Sequence, residues 1–519
     1  MPDSVLLLIP GLPLLAAILI ALMLLLVQGQ VGKGERLTAR IALLAALLSL
    51  LLVIALDVTW VIAGGVTRQI SVLPWLKSGV YEVVISLTVD SLSLTFATLI
   101  AFISLLVMRF SVNYLHREAG FKRFFMVLCL FITAMQIIAL SGNALLTFVG
   151  WELVGASSYL LIAYNLHNKT ATTNATRAFV TNRLGDAGFL LSLFMGFQWF
   201  GSLEWPILLT LHPNMSGLLL GVTALGFVGA AIIKSGQFPF SAWIVRAMEG
   251  PTPSSGIFYG AIMVHAGIYL LLRIHPLLEQ IPELQYLLIL VGVLTVLYGW
   301  LGAQVQTDIK TSLMFSTLSQ TGLMLVSIGL GWYTLVLVHV VLHAIWRTYQ
   351  FLYSPSFAVQ IEWQAAPALP TWVRKRRWLY NAIVQRFWID PLIDWLLVKP
   401  TEALAQEAQV FDGHILDKLS GSPSHNAGIS SLAQMQALQQ GTHRLEQQVG
   451  VGSGVLGKLM QSIAEHMEWL EQHLLMQHEG GRANRALDTL GRYLDRIERL
   501  LIQPRYLVLL VAITLVVIF

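Results

Sequence analysis

Long unbroken apolar runs separated by short polar stretches occupy the first two thirds of the chain, near residues 4–27, 39–63, 88–108, 124–141, 143–164, 178–200, 217–240, 256–274, 284–304, 309–330 and 333–353. A helix rises 1.5 Å per residue, so runs of this length can cross the ~30 Å of a bilayer's hydrocarbon. About eleven transmembrane helices are therefore expected. The runs are continuous rather than alternating with period two, which argues against a membrane barrel. Beyond residue 355 the pattern changes. Gln, Glu, His and Arg become frequent, and apolar residues recur at helical spacing, as in Ile463, Met467, Leu470 and Leu474 or Leu490, Leu494 and Ile497. Ser420 to Asn426 reads as a loop, and Tyr506 to Phe519 closes the chain as a short apolar run. The expected architecture is an all-α polytopic membrane protein with three parts. Residues 1–354 form a transmembrane domain, 355–500 a cytoplasmic or interfacial helical arm, and 501–519 a C-terminal anchor.

Composition supports the membrane reading. Hydrophobic residues make up 56% of the 519 and charged residues 12%, against about 25% charged in soluble domains. Most of the surface must therefore meet lipid or other apolar helices. The 32 basic and 28 acidic residues nearly cancel, which leaves no footprint for nucleic acid. Their distribution sets orientation instead. Lys33, Arg36 and Arg40 follow the first run, Arg109, Arg117, Lys122 and Arg123 the third, and Lys169 and Arg177 the fifth. Arg246 follows the seventh, Lys310 the ninth, and Arg374 to Arg377 the eleventh, whereas the opposite loops hold little beyond Arg68, Lys77 and Arg273. The N-terminus is expected outside and residues 355–500 in the cytoplasm. The first run, too long for a signal peptide, is expected to be retained. Cys129 is the single cysteine, which excludes internal disulfides, thiolate metal cages and iron–sulfur clusters. There is no P-loop, and Gly450, Gly452 and Gly454 lack the strand–turn–helix context of a dinucleotide site. No cofactor, metal or chemistry of the chain's own is expected.

A charge at the centre of a bilayer costs at least about 2.5–3.5 kcal/mol, so ionisable residues inside the runs are candidates for function. Glu152 lies in the fifth run and Lys234 in the seventh, where Gly236 and Pro239 would break the helix and free backbone carbonyls around a polar cavity. A carboxylate and a lysine that pair and separate can release and rebind a proton, since burial and pairing act on them in opposite directions. A static ion pair stitching helices together is the other reading. His265 lies midway along the eighth run, and His339, His343 and Arg347 repeat every four residues on one face of the eleventh. Histidine titrates near neutrality, so this face suits a wetted proton path. Arg347 cannot lose its proton at workable pH, so it fixes charge. Arg183 and Asp186 near the start of the sixth helix, and Asp308 and Lys310 near that of the tenth, read either as interfacial caps or as matched coupling pairs of two repeats.

Several segments together resemble the antiporter-like subunits of respiratory complex I, most closely the subunit L type, and the related DabB-type subunits of inorganic carbon transporters. They are Phe-Val-Gly-Trp-Glu-Leu-Val-Gly (148–155), Asn-Arg-Leu-Gly-Asp-Ala-Gly-Phe (182–189), Lys-Ser-Gly-Gln-Phe-Pro-Phe (234–240), Glu-Gly-Pro-Thr-Pro-Ser-Ser (249–255), Gln-Thr-Asp-Ile-Lys (306–310) and Ser-Thr-Leu-Ser-Gln (316–320). The resemblance implies a proton-conducting unit of a bacterial inner membrane. In it Glu152 and Lys234 match the central pair, His265 takes a position where many relatives carry lysine, and His339 and His343 match the polar eleventh helix. The family's second repeat continues through further spans, whereas this chain is expected to leave the membrane after the eleventh. Residues 386–402 are similar to the family's C-terminal extension.

Three functions follow from these readings. The first is a proton-translocating subunit that energises inorganic carbon uptake, for which the resemblance implies an obligatory DabA-type zinc partner resembling carbonic anhydrase. The second is a proton-pumping subunit of an NADH-quinone oxidoreductase, like subunit L. The third is a non-conducting scaffold that holds a partner in the lipid.

Overall fold

The computed structural model describes residues 3–26, 34–78, 81–210, 217–354 and 370–408. Met1–Val398 and Lys399–Phe519 form separate compact units. In the second, residues 399–408 are helical and exposed. The expected docking arm over most of 409–500 and the anchor at 501–519 lie outside the described residues, as does the expected domain boundary near 355.

All eleven expected helices are present: α1 (Leu8–Leu26), α2 (Glu35–Ile62), α3 (Ser91–Tyr114), α4 (Phe121–Leu140), α5 (Ala144–Ile162), α6 (Lys169–Phe200), α7 (Gly217–Lys234), α8 (Thr252–Arg273), α9 (Pro282–Ala303), α10 (Ile309–Gly329) and α11 (Tyr333–Tyr353). The chain is thus a mostly helical, multi-pass membrane protein. Among the described residues, ten helices are long and apolar enough to cross a bilayer. The exception is α6, which carries Lys169, Arg177, Arg183 and Asp186 along its 32 residues. It also begins nine residues before the expected start at 178, because Asn168 caps it by accepting from the amides of Thr170 (2.9 Å) and Ala171 (3.3 Å). Asp90, Asn143 and Asp308 cap α3, α5 and α10 in the same way.

The connection between α2 and α3 holds an antiparallel hairpin that the hydrophobic pattern did not indicate, β1 (Arg68–Ser78) and β2 (Tyr81–Val89), paired from Arg68 opposite Val89 to Ser78 opposite Tyr81 with register shifts between Ser71 and Leu73 and between Pro74 and Leu76. Its second strand is β-branched and apolar enough to read as the approach to the third span. Ser86 anchors it to the bundle by donating to Glu204 (2.7 Å) and accepting from Asn143 (2.9 Å).

Aromatic rings pack the middle of the bundle. Phe189 on α6 meets Phe148 and Trp151 on α5 and Phe227 on α7, with centroids 5.1–5.5 Å apart. Helices α6 and α7 cross at Gly188 and Gly226, where a Cβ on Gly188 would lie 3.0 Å from the Gly226 carbonyl oxygen. Small residues at such a crossing bring backbones into contact, the usual way membrane helices pack without a hydrophobic driving force. That contact sets the spacing between Asp186 and Lys234.

Residues 370–398 pack with the membrane helices. Asp394 accepts from Arg177 of α6 (2.5 and 2.7 Å), and buried Asp390 accepts from Arg246 (2.9 Å) and Arg386 (2.8 Å). Replacing Asp390 with Asn leaves two guanidiniums without a counter-charge. Both arginines are still about 30% exposed, so the expected loss is about 1–3 kcal/mol rather than that of a fully buried pair. It should register as a lower melting temperature of the detergent-solubilised protein, and an unchanged one would mean that apolar packing alone holds the segment.

Candidate functional site

The candidate residues fall into two groups on either side of a broken helix. The first joins α5, α6 and the end of α7. Helix α7 stops at Lys234, where Gly236 takes φ +62°, the Phe238–Pro239 bond is cis, and a short helix resumes at Ala242–Arg246. The break expected from Gly236 and Pro239 is therefore present, and it places the Lys234 side chain, 1% exposed, deep in the bundle. Lys234 Nζ donates to the Trp151 carbonyl (3.1 Å) and lies 5.0 Å from the centre of the Trp151 ring. Arg183 binds Glu152 through one guanidinium nitrogen and Asp186 through the other, the latter at 2.7 Å. Gly155 makes room for both cations. A Cβ there would sit 2.8 Å from the Arg183 guanidinium and 3.6 Å from Lys234 Nζ. Two carboxylates and two cations thus form one balanced cluster, in which Asp186, Arg183 and Glu152 are the charges acting on Lys234.

Two expectations change here. Glu152 and Lys234 share no hydrogen bond or ion pair, and the direct partner of Glu152 is Arg183. Nor are Arg183 and Asp186 interfacial caps. Because α6 starts at Lys169, Arg183 lies about 21 Å along it, level with Glu152.

The second group gathers on α8, α10 and α11. His265 Nε2 and His343 Nδ1 lie 3.1 Å apart in a buried contact, with ring centroids 5.2 Å apart. Such a contact needs one protonated and one bare nitrogen, so passing a proton along it exchanges their roles. His339 Nε2 meets Gln320 Oε1 (2.9 Å), and Arg347 donates to Ser316 Oγ (2.8 Å). The histidines at i, i+4 spacing therefore turn to different partners. Helix α8 carries a π-helical stretch, Gly256–Ala261, ahead of His265, the kind of irregularity that concentrates at functional sites.

Between the groups lie buried polar residues that sequence reasoning missed. Gln237 Nε2, just past the helix break, donates to the Ser235 carbonyl (3.1 Å) and to Thr321 Oγ1 (3.1 Å). Thr321 adjoins Gln320, which holds His339, and the Phe238 amide donates to Thr295 Oγ1 (3.0 Å). Ser235, Gln237, Thr295 and Thr321 are all fully buried. The available signal was polar residues inside apolar runs, with Ser316 and Gln320 one turn apart on α10.

The remaining candidates have local roles. Asp308 caps α10 by accepting from the Thr311 amide (2.7 Å), and Lys310 donates to Thr252 Oγ1 (2.6 Å). Neither touches the two groups, so the interfacial-cap reading fits Asp308. Arg273, assigned to an outer loop, is instead the buried last residue of α8 and binds Asp90 (2.5 and 3.2 Å). Burial pushes the Asp90 carboxyl up, but the Arg273 guanidinium and hydrogen bonds from Ser93 outweigh it and hold Asp90 below the ordinary carboxylate value. Its stabilising contribution is complete above the unfolded-state value near 4 and is lost as pH falls through the lower folded one.

Two family models match the chain. Residues 141–365 match the one described as NADH:quinone oxidoreductase/Mrp antiporter, TM, and residues 75–125 the one described as NADH-Ubiquinone oxidoreductase (complex I), chain 5 N-terminus. The chain is 36% identical over 362 residues to the chloroplastic NAD(P)H-quinone oxidoreductase subunit 5 of Piper cenocladum, covering 68% of this chain and 48% of that one. It is 38% identical over 294 residues to NADH-quinone oxidoreductase subunit L of Mycobacterium tuberculosis, 56% of this chain and 46% of that one. The chain thus spans about half the length of these curated relatives. Among solved structures it is similar to the Mrp complex from Dietzia sp. (TM-score 0.57, 27% identity, 68% of this chain and 37% of that one). It also shares its fold with the membrane-bound sulfane sulfur reductase, an archaeal respiratory membrane complex (TM-score 0.59, 22% identity, 67% of this chain and 70% of that one).

Proposed function

Because the chain belongs to the family of antiporter-like membrane subunits, we propose that it carries protons across the membrane as one subunit of a larger complex. The reading rests on one observation, the balanced Glu152–Arg183–Asp186–Lys234 cluster at a helix break, with the buried polar residues Ser235, Gln237 and Thr321 lying between it and the group of His339, His343 and His265. A titratable lysine at one end and exchangeable imidazoles at the other give protons a path through low dielectric without a bare charge in lipid. Arg347 fixes positive charge at the end of the histidine row. On the basic-loop count, the N-terminus faces outside a bacterial inner membrane and residues 355–500 the cytoplasm.

Its relatives bear the names of quinone oxidoreductase subunits and of an Mrp complex. They therefore favour the complex I type of membership over inorganic carbon uptake, and they give no support to a zinc partner of the DabA type. A multi-subunit membrane partner is retained; that particular one is not.

The test is proton uptake by vesicles holding the purified chain, followed with a pH-sensitive dye under an imposed potential, together with identification of the proteins that copurify from native membranes. Uptake above the lipid leak and copurification of quinone-oxidoreductase subunits are the expected results. Uptake no faster than in empty vesicles, by the chain alone and by the copurified complex, overturns conduction and leaves the scaffold reading.

A further inference from the structure

Asp57 has no part in this proton path, yet it is a carboxylate inside a membrane span. It lies five residues, about 7.5 Å, before the end of α2. Thr98 of α3 donates to one of its oxygens (2.6 Å), and the other oxygen is buried without a hydrogen-bond partner among the described residues. A groove of about 370 Å³ opens beside it between α2, α3 and α11. Its polar end holds Asp57, Thr98 and Trp60, and Phe102, Val341 and Ile345 line it deeper in the span. Trp60 also lines a second, smaller cleft of about 100 Å³ that contains Arg68, an exposed residue with no ion pair among the described residues.

We propose that this groove binds an aminophospholipid. Its ammonium would meet Asp57, its phosphate would reach toward Arg68 across Trp60, and an acyl chain would lie along Phe102, Val341 and Ile345. Charge complementarity selects the head. A carboxylate within a span needs a cation, and a primary ammonium brings both the charge and N–H donors to the Asp57 carboxylate at the groove's polar end. A choline head has no N–H to give, and an anionic glycerol head brings no cation. The apolar lining selects an amphiphile over a free cation. Trp60 stands two residues before the end of α2, and tryptophans near the ends of spans are enriched at the headgroup region.

Native mass spectrometry of the full-length protein, released from an equimolar mixture of dioleoyl phosphatidylethanolamine, phosphatidylcholine and phosphatidylglycerol, tests the assignment. Wild type should retain phosphatidylethanolamine over each of the others by at least about fivefold, a difference near 1 kcal/mol. Asp57→Asn keeps the side chain's size and should abolish that preference, and Arg68→Gln should lower total phospholipid retention. If Asp57→Asn fails to insert, Ile345→Trp fills the groove from a lipid-facing position and should remove the bound lipid. Equal retention of the three lipids by wild type, or retention of phosphatidylethanolamine unaffected by Ile345→Trp, overturns the proposal. Neither result bears on proton uptake.

Discussion

Vesicles carrying the Lys234→Met chain should take up protons at least roughly a hundredfold more slowly than wild type, the scale on which removal of a positioned proton carrier acts, while insertion is retained. Methionine keeps the length and apolar bulk of the side chain but removes the charge. The cluster then holds Glu152 and Asp186 against Arg183 alone, and the Trp151 carbonyl loses its donor. Lys234→Arg separates the two meanings of that loss. Arginine keeps the positive charge but never releases a proton at workable pH, so it should be as inactive as methionine if Lys234 titrates. If the arginine variant transports at more than about half the wild-type rate, Lys234 is a static counter-charge and the relay must lie elsewhere.

The second large effect concerns stability. Arg183→Gln removes the one side chain that binds both Glu152 and Asp186, and the Asp186 side chain is only 5% exposed. Breaking a fully buried pair costs about 3–5 kcal/mol, but Arg183 is 32% exposed and Lys234 still acts on Asp186, so the expected loss is about 1–3 kcal/mol, read as a lower melting temperature in detergent. Removing the orphaned charge as well should recover part of the loss. The double variant Arg183→Gln, Asp186→Asn should be more stable than Arg183→Gln alone, a non-additivity read directly from a mutant cycle. Additive losses would mean that Arg183 acts through packing, for example its stacking over Phe179, rather than through charge.

What the sequence made legible follows from what lipid demands. A span must be a continuous apolar helix because its backbone has no water to bond, so the helices were readable before any contact was known. The break after Lys234 was readable because Gly236 and Pro239 interrupt such a run. Choice of partner was not. Arg183 looked interfacial because the first turns of α6 are polar and hid its true start at Lys169, and Arg273 looked like loop because its carboxylate, Asp90, lies 183 positions away. Gln237 and Thr321 were invisible for a related reason. Neutral polar residues carry no charge signal, and only the placement of the break after α7 beside α10 shows that they meet.

The clamp made by residues 389–398 sets an order of events during synthesis. Arg177 and Asp394 are 217 positions apart, and Arg246 and Asp390 are 144 apart. At about 5–20 residues per second, Arg177 emerges roughly 10–40 s before its carboxylate exists, and Arg246 roughly 7–30 s before its own. During that interval the two guanidiniums lack their carboxylates and depend on water until the later segment arrives. A nascent chain that stops short of Ile389 keeps both arginines orphaned. An unfinished copy and a finished one thus differ by the pairing of two guanidiniums.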